Sequence, residues 1–151
     1  MNVNRSLRSS SPAPHEETGP VVALLKALGT FGGASEDDLK VVVEAGQVVT
    51  VPAGWSLIWD RTPADKAYVI LDGEVEVHHD GAHLATLGSG DLIGEVAILR
   101  HRLRSATVTA VSPLTVLHLS REALERLYVA VPAVHAALDR SAVAHSGPVE
   151  G

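Results

Sequence analysis

The chain has 151 residues, of which 46% are hydrophobic, 20% are charged and none is cysteine. This length is enough for one domain with its own core, and too short for a second domain of ordinary size. Eighteen acidic against twelve basic residues give a formal charge of −6, which disfavours a generally basic nucleic-acid-binding surface. The lack of cysteine excludes disulfides, thiolate metal ligands and a cysteine nucleophile. Without a long apolar run or a secretory leader, the sequence predicts a soluble, cytoplasmic protein.

The first part of the chain is predicted to be a tail followed by two helices. Residues 1–19 are rich in Ser and Pro and nearly devoid of apolar side chains, so we expect them to be disordered. From Pro20 apolar residues recur at helical spacing until Gly29, which is suited to ending a helix. Ser35 is a good N-cap for a second helix, which Gly46 should end.

The middle of the chain, about residues 46–119, has the pattern of a β domain. Short stretches rich in Val, Ile, Leu and Thr are separated by Gly, Pro and Asp every eight to twelve residues. This spacing is typical of a β-sandwich, roll or barrel. The pairs Asp72-Gly73 and Asp80-Gly81 are the best candidates for β-hairpin turns.

The chain returns to helical periodicity after residue 119. Ser120 is suited to capping a helix, Pro132 should break it, and a further helix can run to about Ala144. We therefore expect one domain over residues 20–145, with its C-terminal helices at 120–145 and a flexible tail at 146–151.

One segment, residues 94–107 (GEVAILRHRLRSAT), has the composition of a binding loop. Glycines precede Glu95 and allow a backbone to approach a ligand closely, and residues 96–99 can form one helical turn. Arg104 follows nine residues after Glu95 and precedes two small residues with accessible amides. A guanidinium and free amides suit a phosphate, whereas a carboxylate accepts from a sugar hydroxyl. The combination predicts a sugar phosphate as ligand.

This pattern, G-E-V-A-I-L-x4-R-S-A-T, resembles the phosphate-binding cassette of cyclic nucleotide-binding domains. That family includes catabolite-activator-type bacterial regulators, protein kinase A regulatory subunits and nucleotide-gated channels. The likeness covers about residues 20–145, and the cassette matches without insertion or deletion. The resemblance implies a mainly β fold, an eight-stranded antiparallel β-roll (a jelly roll or double-stranded β-helix), with N-terminal helices and C-terminal helices of the family's B and C type.

The resemblance also assigns roles to residues. Arg104 would pair with the exocyclic phosphate oxygens, Glu95 would accept from the ribose 2′-hydroxyl, and Gly94 would allow close approach. The remaining implied ligand contacts lie in the cassette and in the apolar floor under the purine: Val96, Ala97, Ser105, Ala106, Val77, Leu84 and Ala85. The ligand would be cAMP or cGMP, and we favour cAMP. Ser105 is ambiguous between them, because a hydroxyl there suits guanine but also occurs in bacterial cAMP binders.

The sequence departs from the family pattern at three places. Leu103 stands where proline commonly precedes the cassette arginine, and residues 60–62 read Asp-Arg-Thr where Glu-Gly-Asp is usual. The last helix has no aromatic residue to cover the base, so Val134, His135 or Leu138 would have to serve.

Three histidines beside Asp80 raise the alternative of a cupin-like, metal-dependent enzyme. His78 and His79 are adjacent and would point to opposite faces of a strand, and His83 is followed by no Glu or His at workable spacing. We therefore predict a solvated hairpin tip there, with no metal ligand and no catalytic residue in the chain.

The predicted function is a cyclic nucleotide sensor that binds its ligand without transforming it. Binding would draw the helices after Ser120 against the roll about a hinge at Val131-Pro132, and an unidentified protein partner would respond. No helix-turn-helix follows residue 145 in this sequence, so we expect no binding to nucleic acid, and none to a membrane. A non-binding interaction module or homodimer of the same fold, with Arg104 and Glu95 as a structural ion pair, remains the alternative.

A short basic loop, Arg100-His101-Arg102, stands next to the cassette arginine in this acidic protein. It could steer an anionic ligand toward Arg104, or it could be a solvated loop tip.

Overall fold

The computed structural model describes residues 14–144, with side chains over residues 18–141. The tail predicted at 146–151 and the first 13 residues of the N-terminal tail lie outside this range. In chain order the elements are α1 (Pro14–Leu28), α2 (Glu36–Ala45), β1 (Gln47–Val51), β2 (Ser56–Ile58), β3 (Lys66–Asp72), β4 (Val75–His79), β5 (Ala82–Leu87), β6 (Leu92–Ile93), α3 (Glu95–Leu99), β7 (Thr107–Ala110), β8 (Leu114–Ser120), α4 (Arg121–Ala130) and α5 (Pro132–Ala144).

The eight strands of residues 14–144 form two four-stranded sheets. The order is β1-β8-β3-β6 in the first sheet and β2-β7-β4-β5 in the second, and the paired strands are antiparallel. The predicted mainly β fold with flanking helices, an eight-stranded antiparallel roll, is therefore confirmed.

Two hydrophobic layers lie on the two faces of the first sheet. Successive residues of a strand point to opposite faces, so β8 places Val116 between the two sheets and Leu117 against the helices. The layer between the sheets includes Ile58, Ile70, Val75, Val77, Val108 and Val116. The layer under the helices includes Leu25, Leu39, Val69, Leu117, Leu124 and Leu138. The helices before and after the roll therefore share one core with the first sheet.

The two predicted helix caps, Ser35 and Ser120, and the predicted break at Pro132 are confirmed. The Ser35 hydroxyl accepts from the Asp38 amide at 3.0 Å, and the Ser120 hydroxyl accepts from the Ala123 amide at 3.1 Å. Pro132 begins α5. None of the helices within residues 14–144 combines the length and the apolar character needed to cross a bilayer.

The first helix begins earlier than the sequence predicts. α1 starts at Pro14, and Pro20 lies inside it, so residues 14–19 are helical where we expected the end of the tail. Proline is favoured at the first helical position because its missing amide costs nothing there, and Pro14 fills that position as well as Pro20 would. Thr18, in the added turn, is buried.

One of the two predicted hairpin turns is correct and the other is wrong. Asp80 and Gly81 join β4 to β5 with positive φ values of 50° and 80°, the combination of a two-residue hairpin. Asp72-Gly73 instead lies at a corner where the chain leaves the first sheet and enters the second. A Cβ on Gly73 would lie 2.4 Å from the Pro113 carbonyl oxygen, so the glycine serves a close backbone contact there.

Candidate functional site

The predicted binding loop starts at Gly94, directly after β6. Gly94 has a φ of 86°, in the left-handed region, and precedes the single turn of α3 that the sequence predicts. A Cβ at this position would lie 2.9 Å from Nη1 of Arg104 and 3.0 Å from the Lys66 carbonyl oxygen. Both the backbone conformation and the approach of the guanidinium therefore require glycine.

The Arg104 side chain is 3% exposed and is held beneath this turn. Its Nη1 donates to the Gly94 carbonyl at 2.5 Å, and its Nη2 donates to the Lys66 carbonyl at the start of β3. The backbone is also fixed, because the Arg104 amide donates to the Thr62 carbonyl and its carbonyl accepts from the Arg61 amide, both at 2.9 Å. The guanidinium thus has a defined position between three segments of the roll.

Burial sets the electrostatics of this site. Desolvation lowers the pKa of Arg104, and the nearby Asp65, Tyr68 and Glu95 oppose that shift. Desolvation likewise raises the pKa of the Tyr68 hydroxyl, while the positive charge of Arg104 opposes it. Because a guanidinium stays protonated in proteins, the site holds a buried positive charge. Such a charge favours an anionic ligand.

The Glu95 carboxylate lies at the start of α3 and is 1% exposed. Its Oε2 accepts a hydrogen bond from the hydroxyl of Ser141, which α5 carries. The last helix therefore reaches the functional segment directly. Ser141 was not among the predicted site residues; the only signal in the sequence is a hydroxyl among the apolar residues of α5.

The structure places the other predicted site residues as follows. Within the cassette Val96, Ala97 and Ala106 are buried, and Ser105 is half-buried. The predicted floor residues lie in the second sheet: Val77 is buried between the sheets, and Leu84 and Ala85 are half-buried against the same layer. Val77 lies on β4 beside β7, the strand that leaves the cassette, since Val77 pairs with Val108. Leu84 and Ala85 lie on β5, on the other side of β4, where Ala85 pairs with Val77. Their contact with a purine stays a prediction.

The three candidates for covering a base point elsewhere in this arrangement. Val134 and Leu138 are buried in the helical core. His135 stacks on the Tyr128 ring, with centroids 4.2 Å apart, and its Nε2 lies 3.0 Å from an Asp139 carboxylate oxygen. Toward α3, α5 thus presents the Ser141 hydroxyl to the cassette carboxylate.

The turn after β2, residues 60–62, has a residue with left-handed backbone at the position where the family pattern has glycine. Arg61 has a φ of 67°, a conformation that L side chains rarely adopt and that glycine adopts without strain. In this conformation the turn makes two backbone hydrogen bonds to Arg104, one through the Arg61 amide and one through the Thr62 carbonyl. Leu103, which stands in place of proline, is 56% exposed.

Two further segments near Arg104, at Thr62 and at residues 65–66, were not predicted from the sequence. The Lys66 and Thr62 carbonyls act through the backbone, which leaves no signature in side-chain identity. Asp65 lies in a stretch of polar loop residues, and only the fold brings its charge close to Arg104.

The histidines of the hairpin separate into two groups. Nε2 of His78 lies 3.0 Å from a Glu76 carboxylate oxygen, and its ring faces that of His83 with centroids 5.5 Å apart. His79 instead approaches the carboxylate of Asp60, in the turn after β2.

Comparison with known proteins places this geometry in a family. The cyclic nucleotide-binding domain family matches residues 48–130. A cAMP-dependent protein kinase regulatory subunit of Yarrowia lipolytica is 39% identical over 108 residues, which cover 70% of this chain and 27% of that protein. A cGMP-dependent protein kinase of Drosophila melanogaster is 30% identical over 89 residues, 59% of this chain and 8% of that protein. The chain thus spans less than a third of these curated relatives.

The fold comparison agrees. The catabolite activator protein of Thermus thermophilus superposes with a TM-score of 0.70 and 26% identity, over 78% of this chain and 57% of that one. The family match at residues 48–130 runs from the second residue of β1 to the end of α4 and includes the whole cassette. The chain therefore belongs to the cyclic nucleotide-binding domain family.

Proposed function

We propose that this domain is a sensor that binds cAMP in preference to cGMP and transforms neither. The observation that carries the proposal is the buried Arg104 guanidinium, held at the Gly94 turn within reach of the charge of the buried Glu95. Both charged groups of the family's cassette are thus retained in one site.

The chemistry of the two groups fits the two polar parts of a cyclic nucleotide. Arg104 donates to neutral carbonyls of Gly94 and Lys66, whereas the exocyclic oxygens of a phosphate would offer it charge-assisted bonds. We propose that the ribose 2′-hydroxyl donates to Glu95. The remaining proposed contacts come from Val96, Ser105, the amides around Ala97 and Ala106, and the purine floor of Val77, Leu84 and Ala85.

The preference for cAMP rests on similarity to curated relatives, because Ser105 does not distinguish the two nucleotides. The regulatory subunit named for dependence on cAMP is 39% identical, against 30% for the kinase named for dependence on cGMP. A serine hydroxyl at position 105 is compatible with either base, so the direct comparison of both nucleotides is the test.

We further propose that the ligand acts on the C-terminal helices through Glu95. The Ser141 hydroxyl and a ribose hydroxyl are both donors, and they would compete for one carboxylate. Replacement of Ser141 by the ligand would release α5 from α3. Because α5 already contacts the cassette through this bond, we propose movement away from it in place of the movement toward the roll that the resemblance implies. Val131 has an extended backbone between α4 and α5, so movement there could reposition α5 as a unit. A protein effector would then respond to the changed helical surface.

The binding proposal is tested by thermal unfolding and calorimetric titration with cAMP and cGMP. A ligand at ~100 times its Kd stabilises the native state by about 2.7 kcal/mol, roughly 5–10 °C for a domain of this size. We expect cAMP to shift Tm at lower concentration than cGMP. Arg104→Ala should abolish the shift, and Glu95→Gln should weaken it less, because the amide retains an acceptor oxygen.

Two further variants separate binding from folding. Arg104→Lys keeps the charge but loses the planar fork, so we expect a folded protein with weakened binding. Arg126→Ala removes an exposed arginine of α4 and serves as the matched control, with binding unchanged. If the wild-type chain shows no shift with either nucleotide at millimolar concentration, the proposal is overturned in favour of a non-binding interaction module. Tighter binding of cGMP would reverse the proposed preference.

A further inference from the structure

We infer that Asp60, His79 and Asp80 form a second site, which binds a divalent transition metal, with zinc the best-suited ion. Each of these side chains offers one ligand atom, and the three atoms lie within 4.8 Å of one another. The site lies where the turn after β2 meets the tip of the β4-β5 hairpin, and none of its residues belongs to the proposed nucleotide site.

The sheet order brings these residues together. β7 lies between β2 and β4, and Thr107 at its start pairs with His78 at the end of β4. The Thr107 hydroxyl also accepts from the Asp60 amide at 3.0 Å, which fixes the turn after β2 beside the hairpin. Asp60 therefore lies next to His79 although the two are well separated in sequence.

The geometry around His79 leaves one ring nitrogen available to an ion shared with Asp60. Its Nδ1 lies 3.2 Å from Oδ2 of Asp60, yet this nitrogen is buried and makes no hydrogen bond to the described part of the chain. Two ligands of one tetrahedral zinc, each about 2.0–2.1 Å from the metal, lie about 3.3 Å apart. The separation of the two atoms matches that of two ligands of one ion.

Asp80 supplies the third ligand from the hairpin tip. Its Oδ2 lies 3.3 Å from Nε2 of His79, on the other edge of the ring, and its side chain is 73% exposed. Rotation of this exposed side chain toward Asp60 would place both carboxylates on one ion. Exposure of the tip also gives the ion a path of entry and leaves room for a water molecule as fourth ligand.

The donor set selects among cations. Two carboxylates balance the charge of a divalent ion, and the imidazole nitrogen favours zinc and its first-row neighbours over Mg²⁺ and Ca²⁺, which prefer oxygen ligands. A bound ion would join the hairpin to the turn whose next residues, Arg61 and Thr62, bond to the Arg104 backbone. Zinc would therefore brace that side of the cassette without contacting a nucleotide.

The test is titration of the chelator-treated full chain with zinc by calorimetry, and with Co²⁺ by visible absorption, in the absence of nucleotide. We expect one zinc per chain. Binding should weaken at least about tenfold in His79→Ala, which loses a ligand, and in Asp60→Asn, which loses the negative charge of one ligand. The matched controls are two variants that each remove a neighbouring histidine, His78→Ala and His83→Ala. Both should leave the zinc affinity unchanged. Circular dichroism verifies that each variant is folded.

Three results would overturn the inference. One is the absence of zinc binding to the wild-type chain. Another is equal zinc affinity in the wild type and in folded His79→Ala, which would place the ion elsewhere. The third is loss of binding in the His78 or His83 variant, which would assign the ion to the other histidine group. Because no nucleotide is present, none of these outcomes bears on the proposed function.

Discussion

At the scale of single residues, the site depends on the fit between Gly94 and Arg104. The left-handed backbone at Gly94 turns the chain from β6 into α3, and its lack of a side chain lets the guanidinium approach. The two properties are separable, because other left-handed glycines of the roll have open space around them.

Gly94→Ala should therefore cost more stability than Gly81→Ala. Both substitutions place alanine at a positive φ, of 86° and 80°, at a cost of about 1–2 kcal/mol each. Only at position 94 would the new Cβ also meet Arg104, Ile58 and Lys66, since no heavy atom lies within 4 Å at position 81. Urea unfolding measures the difference. Equal destabilisation of the two variants would contradict the close fit, and Gly94→Ala should also lose nucleotide binding because Arg104 is displaced.

At the scale of elements, α5 links the helical layer to the cassette. Its apolar residues, Val134 and Leu138, anchor it in the core, while Ser141 bonds to Glu95 at the start of α3. The helix is thus held by burial along one face and bonds to the cassette through Ser141. We expect a ligand hydroxyl to replace this bond.

Ser141→Ala should tighten the binding of cAMP by about three- to tenfold. The variant removes a competing donor worth about 0.5–1.5 kcal/mol, so the ribose hydroxyl no longer has to displace it from Glu95. Because this bond is lost, the ligand-free variant should be less stable than the wild type. Calorimetric titration and urea unfolding measure the two effects. Arg140→Ala, an exposed change on the same helix, is the control. Unchanged or weaker binding in Ser141→Ala would count against displacement of α5.

At the scale of the whole molecule, the first sheet has a layer of aliphatic side chains on each face. A few polar groups lie beside the layer between the two sheets. His118 is one of them. Its ring meets the buried Tyr68 ring edge-on, with centroids 5.5 Å apart. Desolvation lowers the pKa of His118, with a contribution from Lys66, against the opposing charge of Asp65.

This shift predicts an acid-sensitive component of stability. The folded pKa of His118 lies below its unfolded value of about 6.5, so its contribution is fully present above that value. It is lost as the pH falls through the folded pKa, because the unfolded state then binds more protons. In urea unfolding, His118→Gln should lose less stability than the wild type between about pH 7.5 and 5. His83→Gln, at an exposed position, should follow the wild type. If His118→Gln loses as much stability as the wild type over this pH range, His118 is not the source of the acid sensitivity.

The sequence by itself determined the parts of the protein that depend on local chemistry. The caps at Ser35 and Ser120, the break at Pro132 and the hairpin at Asp80-Gly81 follow from backbone preferences of a few adjacent residues. Alternating apolar runs predicted the strands for the same reason. The cassette was predictable because its glycine, carboxylate and guanidinium lie within one short segment.

Only the tertiary structure decided the contacts between distant segments. A single sequence does not give the order of strands in a sheet, and that order sets Gly73 at a corner and brings Asp60 to His79. The bond from Ser141 to Glu95 likewise depends on how α5 packs across the core. The charged groups of the site could therefore be predicted from one short segment of the sequence, whereas the packing of sheets and helices decided what each of those groups contacts.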